Sequence, residues 1–128
     1  MASSPFALNL RPPYYAVIFA SLRTPGDQGY EETARRMAEL ATTMPGYLGI
    51  ESTRSADGFG ITVSYWRDEA SIAQWKRQMD HATAQERGKR EWYQHYELRV
   101  AKVERAYPGP EGRTGLPLMP QLGGWSRC

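Results

Sequence analysis

The stretch that decides the fold is GITVSYWRDEASIAQW, which runs from Gly60 to Trp75. Its first half alternates apolar and polar side chains as a β-strand does, and its second half has the spacing of an amphipathic helix. Asp68 stands at the junction, where it is suited to cap the helix. Trp66 closes the strand and Trp75 lies on the helix. The stretch therefore predicts two large aromatic rings at one strand–helix junction, where a cleft for a flat organic molecule can open.

The same periodicities place further elements on both sides of this junction. We predict strands at Tyr14–Leu22, Tyr47–Thr53, Gly60–Trp66 and Tyr96–Tyr107, and a helix at about 29–44. A second helix runs from Asp68 or Glu69 through Gln78, and helical character resumes or continues through His81–Arg87. Pro45-Gly46 ends the first helix, and Asp57-Gly58 is a hairpin signal. This order predicts an α+β, ferredoxin-like βαββαβ fold, in which a four-stranded antiparallel sheet carries both helices on one face.

Both ends of the chain differ from this core in composition. We predict a flexible N-terminal arm at 1–13, the folded domain at 14–107, and a tail at 108–128 that is rich in proline and glycine. Such a tail cannot sustain a helix or a central strand.

The first strand is apolar on both of its faces. One face would carry Ala16, Ile18, Ala20 and Leu22, and the other Tyr15, Val17 and Phe19. Helices cover only one face of a ferredoxin-like sheet, and an exposed apolar sheet face is a liability. We therefore expect a homodimer that forms through the uncovered sheet faces.

Composition narrows the class of protein. The chain has 128 residues, enough for one domain, and its net charge of +2 is interspersed, which argues against a nucleic-acid partner. It shows neither a signal peptide nor a run of membrane-spanning length. The single cysteine, Cys128, offers no disulfide framework, which fits the reducing cytoplasm. No GxSxG, phosphate-loop or GxGxxG motif supports a hydrolase, a kinase or a nicotinamide-dependent enzyme.

Aromatic residues and histidines are the candidate site residues. Trp66 and Trp75 either stack on a planar ligand or serve as core aromatics. His81 is a candidate proton acceptor or metal ligand, although a surface histidine is the alternative. Tyr93 or His95 is expected to face the pocket and orient a phenolic oxygen of the substrate, while His95 as an ordinary hydrogen-bonding histidine is the alternative.

A charged run at 85–91 contains one further candidate. Arg87 could reach an anionic ligand from the mouth of the cleft, whereas a solvated helix face is the alternative reading of the run. Two histidines without suitably spaced carboxylates do not predict a metal site.

The segments GYLGIEST and GITVSYWRDEASIAQWKRQMDHATAQERGKREWYQHYELRVAKVERAY, in this order of elements, resemble the antibiotic biosynthesis monooxygenase family over Tyr14–Tyr107. The resemblance implies a dimeric α+β barrel of two ferredoxin-like protomers, each with a cleft between helices and sheet. It also implies one of two activities. These are cofactor-independent oxygenation of a polycyclic aromatic compound and degradation of heme.

The resemblance also implies particular positions. Heme-degrading relatives carry an asparagine on the first strand, a tryptophan on the second helix and a histidine about ten residues beyond it. Trp75 matches the tryptophan, but Gln85 stands at the histidine position and the chain's only asparagine, Asn9, lies outside the core. We therefore expect no cofactor, with heme disfavoured.

Three functions follow in order of preference. The first is a cofactor-independent monooxygenase that oxidises a small aromatic or quinol-like compound, with His81 as the proton acceptor. The second is a dimeric protein that binds a small hydrophobic molecule, or acts in stress, without turnover. Heme degradation ranks third.

Overall fold

A computed structural model describes residues 4–27, 29–85 and 92–109, except for the side chains of 82–85. Its elements are β1 (Tyr14–Arg23), α1 (Tyr30–Ala41), β2 (Tyr47–Arg54), β3 (Phe59–Trp66), α2 (Glu69–Gln85) and β4 (Tyr93–Val103). All strand pairs are antiparallel, and the strand order in the sheet is β2-β3-β1-β4. The predicted ferredoxin-like α+β fold is confirmed.

One face of the sheet packs against the helices. Val17 of β1 and Trp66 of β3 form the core together with one residue from α1 and two from α2, which are Ala41, Ile72 and Trp75. Alternation along β1 assigns Tyr15, Phe19 and Ser21 to the same helix-facing side as Val17. Residues between them point to the other side, which we call the open face.

An aspartate carboxylate accepts hydrogen bonds near the start of each helix. The carboxylate of Asp27 accepts hydrogen bonds from the backbone N–H groups of Gly29 (3.0 Å) and Glu31 (3.1 Å) at the start of α1. Asp68 Oδ1 accepts hydrogen bonds from both the backbone N–H (2.8 Å) and the hydroxyl (2.7 Å) of Ser71, which confirms Asp68 as the cap of α2. The N-cap residue of α1 is Gly29, with φ of 84°, and Tyr30 is the first helical residue.

The element boundaries differ from prediction where tertiary pairing decides them. The last strand begins at Tyr93 rather than Tyr96, because Tyr93 pairs with Arg23 at the end of β1 across a register shift. It ends at Val103 rather than Tyr107, because Val103 pairs with Tyr14, the first residue of β1. The second helix runs without a break from Glu69 to Gln85.

The open face is partly covered from within the chain. Tyr14 packs edge-on against Tyr65, with ring centroids 5.5 Å apart, and is 7% exposed. Phe59 and Ile61 of β3 are 48% and 37% exposed on the same face. An apolar patch therefore remains on the open face of this protomer.

The N-terminal arm contacts the open face near β2. The backbone N–H of Ala7 donates to Glu51 Oε2 (2.9 Å), and the Tyr65 hydroxyl donates to Glu51 Oε1 (2.6 Å). Burial and the adjacent Glu51 carboxylate raise the pKa of Tyr65. A Cβ on Gly49 would lie 2.8 Å from the Ala7 Cβ, so the absence of a side chain at position 49 makes room for the arm.

Candidate functional site

The two tryptophans singled out by the sequence are packed against each other. The rings of Trp66 and Trp75 are stacked, with centroids 5.8 Å apart and planes at 25°, and Tyr47 meets Trp66 edge-on at 5.6 Å. Trp66 is 0% exposed, and its indole N–H donates to the Ser64 hydroxyl (2.9 Å). In this arrangement the rings build the core. Their stacking on a ligand stays a prediction.

A second group of rings lies near the other end of β1, which we call the aromatic cluster. Its members come from β1, the start of α1 and the entry to β4, and they are Phe19, Tyr30, Trp92, Tyr93 and Tyr96. Phe19 lies 5.4 Å from Tyr93 and 5.3 Å from Tyr96 between ring centroids, and Tyr30 lies 5.8 Å from both Trp92 and Tyr93. Trp92 is buried and the other four rings are half-buried. The cluster thus offers aromatic surface that is only partly enclosed.

Tyr93 is the most perturbed phenol of the cluster. Burial and a hydrogen bond with Tyr30 raise the pKa of Tyr93, and the positive charges of Arg54 and Arg23 oppose that rise. The hydroxyl of Tyr93 consequently stays protonated at neutral pH. It is chemically suited to donate a hydrogen bond to an oxygen atom.

Two arginines, which we call the basic pair, flank Tyr30. The Cζ atom of Arg23 lies 3.7 Å from the Tyr30 ring centroid, and that of Arg54 lies 5.8 Å from it. Arg54 Nη2 donates to the hydroxyls of Ser21 (2.9 Å) and Tyr30 (3.3 Å). The basic pair therefore adds positive charge to the same end of the sheet as the aromatic cluster.

The acceptors that the described residues offer to the basic pair are all uncharged. Arg54 Nη1 donates to the carbonyl oxygens of Gly58 (2.5 Å) and Ser21 (3.4 Å). Arg23 donates through Nε to the Trp92 carbonyl (3.1 Å) and through Nη2 to that of Gly26 (3.0 Å). Both guanidinium charges thus sit, half-buried, against neutral groups.

The other predicted site residues are spread over the molecule. His81 is exposed on α2, two residues beyond the half-buried Met79. His95 pairs with Leu22 on the open face and contacts Glu97 Oε2 through Nε2 (2.7 Å). Tyr93 contacts Phe19 on the helix-facing side, so Tyr93 and His95 do not converge within one protomer. Arg87 lies outside the described residues.

The positions of the two histidines can be compared with the position expected of a histidine in heme-degrading relatives. The exposed His81 lies six residues past Trp75, where about ten were expected, and His95 is on the opposite side of the sheet. Within the part of the chain that the structure describes, no group of three or more His, Cys, Asp or Glu residues could hold a metal ion.

Sequence inspection missed the roles of Tyr30, Arg54 and Phe19. Tyr30 stands near the start of the predicted helix at about 29–44, and Arg54 is the residue just past the predicted strand Tyr47–Thr53. The register of the strands shows why Arg54 belongs to this site. Arg54 of β2 lies opposite Gly60 of β3, and Gly60 lies opposite Ser21 of β1. An arginine facing a glycine on the helix-facing side of the sheet indicates a guanidinium folded inward over that glycine.

Comparison with known proteins assigns the family. Residues 13–87 match the antibiotic biosynthesis monooxygenase family, and the chain belongs to it. It is 54% identical over 94 residues to the uncharacterized protein YqjZ of Bacillus subtilis, a match that spans 73% of this chain and 82% of that protein. It is 32% identical over 94 residues to the jasmonate monooxygenase ABM of Pyricularia oryzae. That second match spans 70% of this chain but 43% of the fungal protein.

Solved structures share the fold at low sequence identity. SnoaB of Streptomyces nogalater, a cofactor-independent oxygenase, superposes with a TM-score of 0.61 at 17% identity, covering 76% of this chain and 99% of SnoaB. PA3566 of Pseudomonas aeruginosa gives a TM-score of 0.58 at 16% identity, covering 77% and 100%. In the described part of this chain, no helix is long and apolar enough to cross a membrane.

Proposed function

We propose that this protein is a cofactor-independent monooxygenase that oxidises a small aromatic or quinol-like compound bound against the aromatic cluster. The family match and the monooxygenase relative support the general activity. The observation that carries the proposal is the set of half-buried rings on the helix-facing side, next to a phenol that stays protonated. Flat ligands bind such surfaces by stacking and edge-on contacts.

The proposed reaction balances without a cofactor. A ring CH₂ group of the substrate loses a proton, and the resulting carbanion passes one electron to dioxygen. The two radicals combine into a C–O bond, and the peroxide anion takes up a proton. Loss of water then leaves a C=O group. One oxygen atom ends in the product and the other in water, while the carbon atom supplies all four electrons.

The protein would contribute position and polarity to this reaction. Phe19 and Tyr96 supply aromatic contact, and the Tyr93 hydroxyl would exchange its hydrogen bond with Tyr30 for one to the substrate oxygen as negative charge spreads onto that oxygen. Trp66 and Trp75 would hold the helix-facing side in place or, as predicted, stack on the ligand. His81 stays the predicted proton acceptor, and its exposed position requires a solvent-connected route for that proton.

Oxygen uptake tests the activity. The purified protein is mixed with anthrone- or quinol-type compounds, and dioxygen consumption and product absorbance are followed. Uptake with one oxygen atom incorporated from labelled O₂ supports the proposal. Tyr93→Phe should lower kcat by about tenfold to a hundredfold, because one hydrogen bond to a developing anion is lost. Tyr107→Phe is the matched control, since Tyr107 is 79% exposed.

Two results would overturn the activity or its predicted base. Binding of these compounds without any oxygen uptake identifies a non-catalytic binding protein, the alternative from another class. Unchanged kcat in His81→Ala removes His81 as the proton acceptor and leaves the rest of the proposal standing.

We also propose that two copies pair through their open faces. The exposed apolar side chains of Phe59 and Ile61 support this, because such a patch is unfavourable in water. Ile61→Glu should shift the protein to a monomer in sedimentation experiments. Leu40→Glu on α1, at the same 37% exposure, should not. A monomeric wild-type protein at micromolar concentration contradicts the dimer.

A further inference from the structure

We infer that the basic pair, Arg23 and Arg54, binds an anionic oxygen of the ligand that occupies the aromatic cluster. This inference rests on the proposed function for the location of the ligand. It narrows the substrate to planar aromatic compounds that carry a carboxylate or an ionised phenol or enol. Both chemistries present a negatively charged oxygen that a guanidinium recognises by charge and by hydrogen bonds.

The charge balance of the site is the first argument. Placing a cation in a half-buried position costs free energy unless an anion or several hydrogen bonds compensate it. Arg23 and Arg54 are compensated by carbonyl and hydroxyl oxygens, and neither contacts a carboxylate in the described part of the chain. Within the described residues, the two neighbouring guanidinium groups around Tyr30 thus have no carboxylate partner, and an anionic ligand would neutralise one of these charges.

The fixed position of Arg54 is the second argument. Four acceptor contacts hold its two terminal nitrogens. A Cβ on Gly60 would lie 2.7 Å from Arg54 Cζ, so the guanidinium rests where a side chain at position 60 would stand. Arg54 therefore contributes to anion binding through its fixed positive charge, while its terminal N–H groups stay with their protein acceptors.

Arg23 supplies the free hydrogen-bond donors. Its Nε and Nη2 atoms bind the carbonyl oxygens of Trp92 and Gly26, whereas Nη1 makes no hydrogen bond with the described residues. The guanidinium lies over the Tyr30 ring, and the protonated hydroxyl of Tyr93 is hydrogen-bonded to Tyr30. The positive charge of Arg23 and the hydroxyl of Tyr93 thus lie on the same phenol, Tyr30.

A pair of ligands of similar shape, one anionic and one neutral, tests the inference directly. Binding of 1-naphthoate and of 1-naphthamide is measured by the fluorescence of the wild-type protein, in which Trp92 contacts Tyr30, and by calorimetry. We expect the acid to bind more tightly by roughly tenfold to a hundredfold, as one charge-assisted contact provides. The preference should shrink as salt concentration rises. Equal affinities would overturn the inference.

Ionised phenols form the second arm. A nitrophenol changes its absorbance on ionisation, so its pKa in the complex can be read directly. A bound pKa below the free value shows that the basic pair selects the phenolate. A nitrophenol pKa that is unchanged, together with tight naphthoate binding, assigns the site to carboxylates.

Variants connect the preference to the basic pair. Arg54→Gln and Arg23→Gln should each reduce the acid-over-amide preference by about tenfold, while Arg54→Lys should keep part of it. Arg35→Gln is the matched control, because Arg35 is exposed on α1 and pairs with Glu32 and Glu39. If Arg54→Gln does not fold, the inference is still tested by Arg23→Gln and by the comparison of naphthoate with naphthamide in the wild-type protein. A preference that survives both glutamine variants contradicts the inference.

Binding and turnover separate the two proposals. A preference for the acid without oxygen uptake from any compound supports the basic pair and rejects the oxygenase. Oxygen uptake that is equally fast with neutral and anionic substrates supports the oxygenase and rejects the basic pair.

Discussion

Arg54 and Gly60 lie directly opposite each other on β2 and β3, and the guanidinium of Arg54 occupies the space above the Gly60 Cα. A methyl group at position 60 would also come within 2.9 Å of the Thr53 carbonyl oxygen, which cannot move as a side-chain tip can. We expect Gly60→Ala to lower the free energy of unfolding by about 1–3 kcal/mol, in the range of an overpacked site. Urea unfolding measures this change.

Gly109→Ala is the control for that experiment, since nothing lies within 4 Å of a Cβ at position 109. Gly60→Ala should also weaken the binding of naphthoate, because the displaced guanidinium of Arg54 leaves its place. If Gly60→Ala were as stable as the wild type, the close approach of Arg54 and Thr53 to position 60 would be contradicted.

The hydrogen bond from Trp66 to Ser64 gives a second prediction. Ser64→Ala removes the acceptor of an indole N–H inside the core, and a buried donor without a partner costs about 1–3 kcal/mol. The thermal midpoint should fall accordingly. Ser52→Ala is the comparison, because its hydroxyl contacts Thr62 in an exposed position on the neighbouring strand, and it should change stability little. Equal losses in the two variants would contradict the buried bond.

Asp68 gives a pH-dependent prediction. Its hydrogen bonds from Ser71 hold the pKa of the Asp68 carboxyl below the ordinary value of 3.8, so the ionised form stabilises the folded state. That contribution is complete above the unfolded pKa and is lost as the pH falls through the lower folded pKa. Asp68→Ala should therefore melt below the wild type at pH 7, and the difference should narrow below pH of about 4. Asp68→Asn, which keeps an acceptor oxygen, should melt closer to the wild type. A difference independent of pH would contradict this role.

The arm provides a fourth prediction. Glu51→Ala removes the acceptor of the Ala7 N–H, so hydrogen exchange at Ala7 should become faster than in the wild type. Tyr65→Phe keeps the Glu51 carboxylate and should preserve most of the protection. Equal exchange in the wild type and Glu51→Ala would show that the arm leaves the open face in solution.

The order of the elements was predictable because each periodic segment is long and ends at a strong signal. Asp57-Gly58 marked the turn between β2 and β3, and Asp68 marked the start of α2. Pro45-Gly46 marked the end of α1 less closely, because α1 ends at Ala41 rather than at 44. The β4 boundaries were missed because Tyr93 and Val103 belong to the strand only through their pairing with Arg23 and Tyr14. Periodicity within one segment carries no information about the length of its neighbour.

The candidate site was predictable only in part. Tyr93 was one of the candidate residues, and its ring lies in the aromatic cluster, while its function stays a prediction. Its neighbours Tyr30 and Phe19 are remote in sequence, and they reach Tyr93 only through the sheet register and the start of α1. Arg54 resembles an ordinary strand-end arginine until Gly60 is placed opposite it. Contacts between distant segments had to come from the structure.

The stacked rings of Trp66 and Trp75 also provide an intrinsic spectroscopic probe of core packing. The electronic transitions of two indoles with centroids 5.8 Å apart couple to each other. We expect this coupling to give a circular-dichroism band of paired opposite signs at the long-wavelength edge of the far-ultraviolet peptide region. That band depends on the distance and angle between β3 and α2, not on the amount of helix or strand. Its loss while the peptide signal persists would reveal loosening of the core before the chain unfolds.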